Sequence, residues 1–97
     1  MLRITMTKND HEQRWILQGR LTGPWVTELE TNWNSLRAQD GRKCVIDLTD
    51  VTLVDKCGEE LLETMKRAGA ELIGSGVYLR YLVDEITSRC RRGRRSG

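Results

Sequence analysis

The sequence predicts an α/β fold: a single small domain with a mixed sheet of about four strands, an N-terminal hairpin and three helices, in the order β-β-α-β-α-β-α. Three observations carry this. The chain has 97 residues, the length of one domain with one modest core. Its first two apolar runs flank a short polar turn, which reads as an antiparallel hairpin. The remainder alternates helix-spaced apolar stripes with short apolar runs, and that alternation calls for parallel strands joined by right-handed crossovers.

Leu2, Ile4 and Met6 alternate with Arg3, Thr5 and Thr7, the period of a half-buried strand. Lys8-Asn9-Asp10-His11 is a polar turn, and Trp15-Ile16-Leu17 opens a second strand toward Leu21. Thr22-Gly23-Pro24 breaks that strand and starts a helix, because proline in the first helical turn lacks only an N–H that would be unpaired anyway. Trp25, Val26, Leu29, Trp33 and Leu36 share one face of this helix to about Ala38, and Gln39-Asp40-Gly41 stops it. The two tryptophans are core anchors rather than a cofactor platform. Lys43-Cys44-Val45-Ile46-Asp47-Leu48 suits a central strand, and residues 49–55 read as a loop into the next helix. Leu61, Leu62, Met65 and Ala68 form that helix's apolar face, and Gly69 ends it. Ala70-Glu71-Leu72-Ile73 is a further strand. Gly74-Ser75-Gly76 then turns the chain into a last helix, which Ser75 is expected to cap and whose buried stripe is Leu79, Leu82, Val83, Ile86 and Cys90.

Composition narrows the function classes. Apolar residues make up 38% and charged residues 31%, too apolar for a disordered chain and too charged for a membrane protein. The opening Met1-Leu2-Arg3-Ile4-Thr5-Met6 turns polar at once, unlike a secretory signal. Three scattered cysteines, Cys44, Cys57 and Cys90, match neither a disulfide framework nor metal-ligand spacing. The expectation is a cytoplasmic protein with reduced thiols and no cofactor. The net charge of +2 is uneven. Of 16 Lys/Arg, five are Arg89, Arg91, Arg92, Arg94 and Arg95, which leaves 11 against 14 Asp/Glu in residues 1–88. Residues 1–88 thus form a mildly acidic domain, and residues 89–97 read as a basic, disordered tail.

The stretch Val45-Ile46-Asp47-Leu48-Thr49-Asp50-Val51-Thr52-Leu53-Val54-Asp55-Lys56-Cys57-Gly58 resembles the signature of STAS domains. So do Leu61-Leu62, Gly69-Ala70-Glu71-Leu72 and the earlier Leu17-Gln18-Gly19-Arg20-Leu21. That family includes bacterial anti-sigma-factor antagonists and the cytoplasmic parts of sulfate transporters. Its pattern is an apolar strand ending in Asp-Leu, a loop, and an apolar-Asp-Ser-Ser/Thr-Gly run opening a helix. The resemblance extends from Leu2 to Ile86 and implies a domain that binds protein partners. In sigma-factor circuits a kinase-like anti-sigma factor phosphorylates the serine after the motif aspartate, and the unphosphorylated antagonist captures it. Other members are subunits of membrane transport systems, including lipid-trafficking ABC transporters. Here Asp55 and Gly58 match the motif, but the serine position is Lys56 and the next hydroxyl position is Cys57. Phosphorylation adds about −1.5 to −2 charges to a serine; Lys56 has no hydroxyl and carries a fixed positive charge, so the resemblance implies binding without the usual switch.

The electrostatics of this turn can be read directly. A helix start exposes unpaired N–H groups and partial positive charge, so Asp55, Glu59 and Glu60 suit it and Lys56 opposes it. The plainer reading of Lys56 is an exposed lysine pairing with Asp55, Glu59 or Glu60; the alternative is that a local rule broken without gain marks a binding surface. Cys57 is expected to pack inward, the alternative being a reactive thiol at a helix start. Thr49 and Thr52 are either alternative phosphorylation sites or hydroxyls that satisfy loop backbone.

No catalytic set assembles. His11, the single histidine, sits in a polar turn without a paired base, and Gly74-Ser75-Gly76 lacks the full spacing of a phosphate loop. The expectation is a non-catalytic, regulatory interaction domain whose partner contacts Asp55, Lys56, Cys57, Gly58 and Glu59. The partner is an anti-sigma factor or kinase-like regulator, or else a transporter subunit. The competing class is binding of nucleic acid or an anionic surface through the arginine tail, against which the acidic body argues. Membrane insertion is not expected, and a homodimer is compatible with the sequence.

Overall fold

The computed structural model describes residues 2–37 and 43–95. Their elements follow the expected order: β1 (Leu2–Lys8), β2 (Glu12–Leu21), α1 (Pro24–Arg37), β3 (Lys43–Val54), α2 (Lys56–Arg67), β4 (Glu71–Ile73) and α3 (Val77–Arg95). The strands form one mixed sheet in the order β1-β2-β3-β4. β1 is antiparallel to β2, and the other two pairs are parallel. The expected stop at residues 39–41 lies outside the described residues, as do the side chains of Leu36 and of the arginines beyond Cys90.

Asn9 makes the hairpin. Its side-chain oxygen accepts from the N–H groups of His11 (2.8 Å) and Glu12 (2.9 Å), and its own N–H donates to the Glu12 carbonyl (3.0 Å). Such a side-chain turn is why asparagine recurs at chain reversals. β2 begins at Glu12 rather than near Trp15, because Glu12 and Gln13 already pair with Lys43 and Cys44.

Strand alternation gives the sheet two unlike faces. Trp15, Leu17, Ile46, Leu48 and Leu72 join one cluster with Leu29 and Trp33 of α1, Leu62 and Met65 of α2, and Leu79, Leu82 and Ile86 of α3. All three helices therefore pack on that face. The other face carries the register rows Thr7–Arg14–Val45–Glu71 and Thr5–Ile16–Asp47–Ile73. Charges lace it: Arg14 reaches Glu12 (3.5 Å) and Asp47 (3.7 Å), and Lys43 meets Glu71 at 2.8 Å. On the core side, buried Gln13 accepts from the Trp15 indole N–H at 3.3 Å, so this buried amide is partnered.

β3 differs from expectation and matters most for the site. It continues through residues 49–54, which read as a loop in the sequence. Twice the register skips a β3 residue: Ile16 pairs Asp47 but Gln18 pairs Asp50, and Gly19 pairs Val51 but Arg20 pairs Leu53. Each skip is a β-bulge, which adds a residue and breaks the period of two. Leu48, Val51 and Val54 are consequently the buried positions, three apart. Thr49 and Thr52 are thus exposed strand residues.

Helix ends follow local chemistry. Gly69, at φ +107°, closes α2: its N–H donates to the Lys66 carbonyl (3.0 Å) and that of Ala70 to the Met65 carbonyl (3.0 Å). Those paired bonds need a left-handed residue, which glycine supplies without a Cβ clash. α3 is capped by Gly76, not Ser75, since the Gly76 carbonyl accepts the first helical bond, from Arg80 at 3.1 Å. α3 also runs past residue 89, where the sequence suggested a tail. Cys90 extends the buried stripe, and Arg89 reaches Glu59 (3.2 Å) and Glu63 (3.7 Å) on α2.

Candidate functional site: the corner between β3 and α2

Three parallel strands end at one edge of the sheet, and each hands over there to the region where a helix begins. Asp55 sits at the centre. It is the N-cap of α2, with extended backbone (φ −86°, ψ −177°). Its Oδ1 accepts from the Gly58 N–H at 2.8 Å and its Oδ2 from the Gly23 N–H, just ahead of α1, at 3.0 Å. Its own N–H donates to the Leu21 carbonyl at 3.2 Å. The carboxylate therefore joins two helix starts, and the backbone N–H of the same residue ties them to the end of β2. The Gly23 N–H, and after it that of Gly58, hold the carboxyl below the ordinary aspartate value of 3.8.

Gly58 and Tyr78 fix the same corner. A Cβ on buried Gly58 would lie 2.6 Å from the Leu21 carbonyl oxygen and 2.8 Å from Val54 Cγ1, so α2 crosses the end of β2 where only glycine fits. β4 pairs with β3 only at Val45, Ile46 and Asp47, leaving Val54 without a strand neighbour on that side. The Tyr78 hydroxyl takes the strand's place: it accepts from the Val54 N–H (3.2 Å) and donates to the Val54 carbonyl (3.4 Å).

Lys56 and Cys57 stand exposed on this fixed corner. Lys56 makes no ion pair with another described residue. Asp55 is engaged by backbone N–H groups, and Glu59 by Arg89 at 3.2 Å. Glu60, a turn further along α2, is exposed. Cys57 does not pack inward as expected, because the inward position in this first turn belongs to Gly58. The native protein is accordingly expected to react rapidly with a thiol reagent at Cys57, with buried Cys90 reacting only on unfolding. Because Cys44 is half-buried, the comparison is made in a Cys44→Ser background, where a fast phase that survived Cys57→Ser would contradict this placement.

Of the two threonines, Thr52 donates its hydroxyl to the Gly19 carbonyl (3.1 Å), bridging β3 to β2. The Thr49 N–H donates to Asp47 Oδ1 (3.0 Å). Both lie back along β3 from Lys56. Sequence reading found Asp55 and Gly58 but missed Gly23, Tyr78 and Arg89. Gly23 lies 32 positions from Asp55, Tyr78 24 from Val54 and Arg89 30 from Glu59. No local pattern spans such distances.

No family model matches the sequence, and no curated protein matches it. Solved structures do. An antisigma-factor antagonist STAS domain from Rhodobacter sphaeroides is similar over 77% of this chain and 86% of its own, at TM-score 0.53 and 18% identity. A DUF3478-family protein with a SpoIIAA-like fold, from Shewanella loihica, is similar over 79% of this chain and 70% of its own, at TM-score 0.54 and 17% identity. The crystal structure of Mglu matches 75% of this chain at TM-score 0.58 and 17% identity, and the chain spans only 19% of Mglu's length. At such identities the likeness is one of fold, and that fold is STAS-like, the class suggested by the motif around Asp55.

Proposed function

We propose that this domain is a non-catalytic regulatory module that holds a protein partner at the corner between β3 and α2, with no phosphorylation switch at the usual position. The observation that carries this reading is Lys56: exposed, at the first position of α2, with no ion pair to another described residue. The corner beneath it is anchored by Asp55, Gly58 and Tyr78. The backbone of the corner is held before any partner arrives, so docking there orders little main chain, and complementary charge at Lys56 selects which partner arrives. The fold likeness to an antisigma-factor antagonist supports a protein partner, here an anti-sigma factor or kinase-like regulator met in the cytoplasm. A transporter subunit would use the same corner. Among the described residues no helix is long and apolar enough to cross a membrane.

The test is a photo-crosslinker on Cys57 in native extract, compared with one on a Thr5→Cys, Cys57→Ser variant, since Thr5 lies on the opposite face of the sheet. The Cys57 probe is expected to trap a discrete protein that the Thr5 probe does not. Lys56→Glu is expected to weaken that complex about tenfold or more. Equal capture from both faces, or affinity untouched by Lys56→Glu, would count against the reading.

A further inference from the structure

The two edges of the sheet are β1 and β4, and they differ. β4 is only three residues long, and a short edge strand resists pairing with another chain. β1 has seven residues, contains no proline, and pairs with β2 from Leu2 to Lys8 without a bulge. Every second residue of such a strand turns its N–H and C=O outward, and among the described residues no strand meets them. Beside this edge lies a groove of about 260 Å³ lined by Leu2, Ile4, Met6 and Trp15 and, from α1, by Glu28 and Asn32. Leu2 and Trp15 are buried, whereas Ile4 and Met6 are only half-buried. Lys8 falls on the same side of β1 as Leu2, Ile4 and Met6, by strand alternation. Lys8 and Glu28 are both exposed, and neither makes an ion pair with another described residue.

We propose that β1 pairs antiparallel with β1 of a second copy of this chain, about a two-fold axis at Thr5, joining two four-stranded sheets edge to edge. In that register β1 is its own complement: Ile4 falls opposite Met6, Arg3 opposite Thr7 and Leu2 opposite Lys8. Opposite residues of an antiparallel pair point to the same side, so Ile4 and Met6 cover each other along the groove. A slip of one residue would set Ile4 against Thr5 and leave that apolar pair open. Charge fits the same register. Lys8 of one copy comes beside Leu2 of the other, at the groove that Glu28 lines, and symmetry makes this contact twice. Glu30, two residues along α1, does not line the groove, and Asp10 and His11 stand in the hairpin turn past the last pair of the ladder. No charged residue of β1 meets its own copy. Arg3 lies opposite Thr7, and Arg14 beyond Thr7 already reaches Glu12 and Asp47. β1 is two strands from β3, so the corner around Lys56 stays open on each copy. A ladder of seven residues with one flanking groove is a small interface, of the class that associates reversibly, with Kd roughly micromolar or weaker.

Sedimentation of the intact protein at rising concentration is expected to show a monomer–dimer equilibrium. Lys8→Glu or Glu28→Lys alone is expected to weaken it about tenfold, because each reversal acts at two symmetric contacts, and the two together to restore it. The register is read by oxidation with copper phenanthroline in a Cys44→Ser, Cys57→Ser background. Thr5→Cys is expected to form a disulfide-linked dimer by itself, whereas Arg3→Cys and Thr7→Cys link only when the two variants are mixed. A chain still monomeric at about 1 mM would overturn the proposal. So would a dimer indifferent to both charge reversals, or an Arg3→Cys dimer formed without Thr7→Cys. A different protein trapped at Thr5→Cys in native extract, with the purified chain monomeric, would overturn the second copy as occupant and assign the edge to a foreign strand.

Discussion

Gly58→Ala is expected to destabilise the domain by about 1–3 kcal/mol, the usual cost of an extra carbon in a packed site. In a domain this small each kcal/mol lowers Tm by roughly 4–8 °C. Two effects oppose each other here. Alanine is the better helix former by roughly 0.5–1 kcal/mol, which alone would raise stability. Against that, the new Cβ meets the Leu21 carbonyl oxygen at 2.6 Å and Val54 Cγ1 at 2.8 Å. A backbone oxygen in a strand cannot swing away as a flexible side chain would. The clash wins unless α2 shifts off β2, and such a shift would stretch the Asp55–Gly58 hydrogen bond of 2.8 Å. Thermal unfolding of the alanine variant decides between the two effects: a Tm at or above that of the parent would mean that the corner is looser than the geometry shows.

Asp55→Ala is expected to lower Tm by roughly 4–8 °C, because it removes the acceptor for Gly58 and leaves the Gly23 N–H unpaired as well. Its pH signature is distinctive. The carboxyl titrates lower in the folded chain than its ordinary 3.8, because the charged form accepts both N–H bonds. Its contribution is therefore complete above the unfolded value and is lost as pH falls through the lower folded value. Urea unfolding followed from neutral pH downward should show the parent losing stability below pH 3.8 more steeply than Asp55→Ala. Parallel curves would show that the carboxylate does not hold the two helix starts. Asp55→Asn keeps one acceptor oxygen, so its stability at neutral pH should fall between the two, while its pH dependence, lacking the carboxyl, should match that of Asp55→Ala.

The order of elements was legible because each left a local trace. The alternation of β1, the stripe of α3 through Leu79, Leu82 and Ile86, and the terminating Gly69 all act within a few residues. The second half of β3 was not legible, because two bulges space Leu48, Val51 and Val54 by three, a period that belongs to neither strand nor helix. The centre of the site was visible in Asp55 and Gly58, whose residue types are dictated by a helix start and a tight crossing. Its supports were hidden. Gly23, Tyr78 and Arg89 meet their partners only through the tertiary fold, and Cys57 faces outward because the neighbouring glycine takes the inward place.

The most direct measurement is a double-mutant cycle between Lys56 and the acidic residue of the partner crosslinked through Cys57, read by calorimetry. A coupling of at least about 1.5 kcal/mol is expected, with affinity restored when the two charges are exchanged. Zero coupling, together with unchanged affinity for Lys56→Glu, would show that the partner docks elsewhere and that Lys56 is only a solvated side chain.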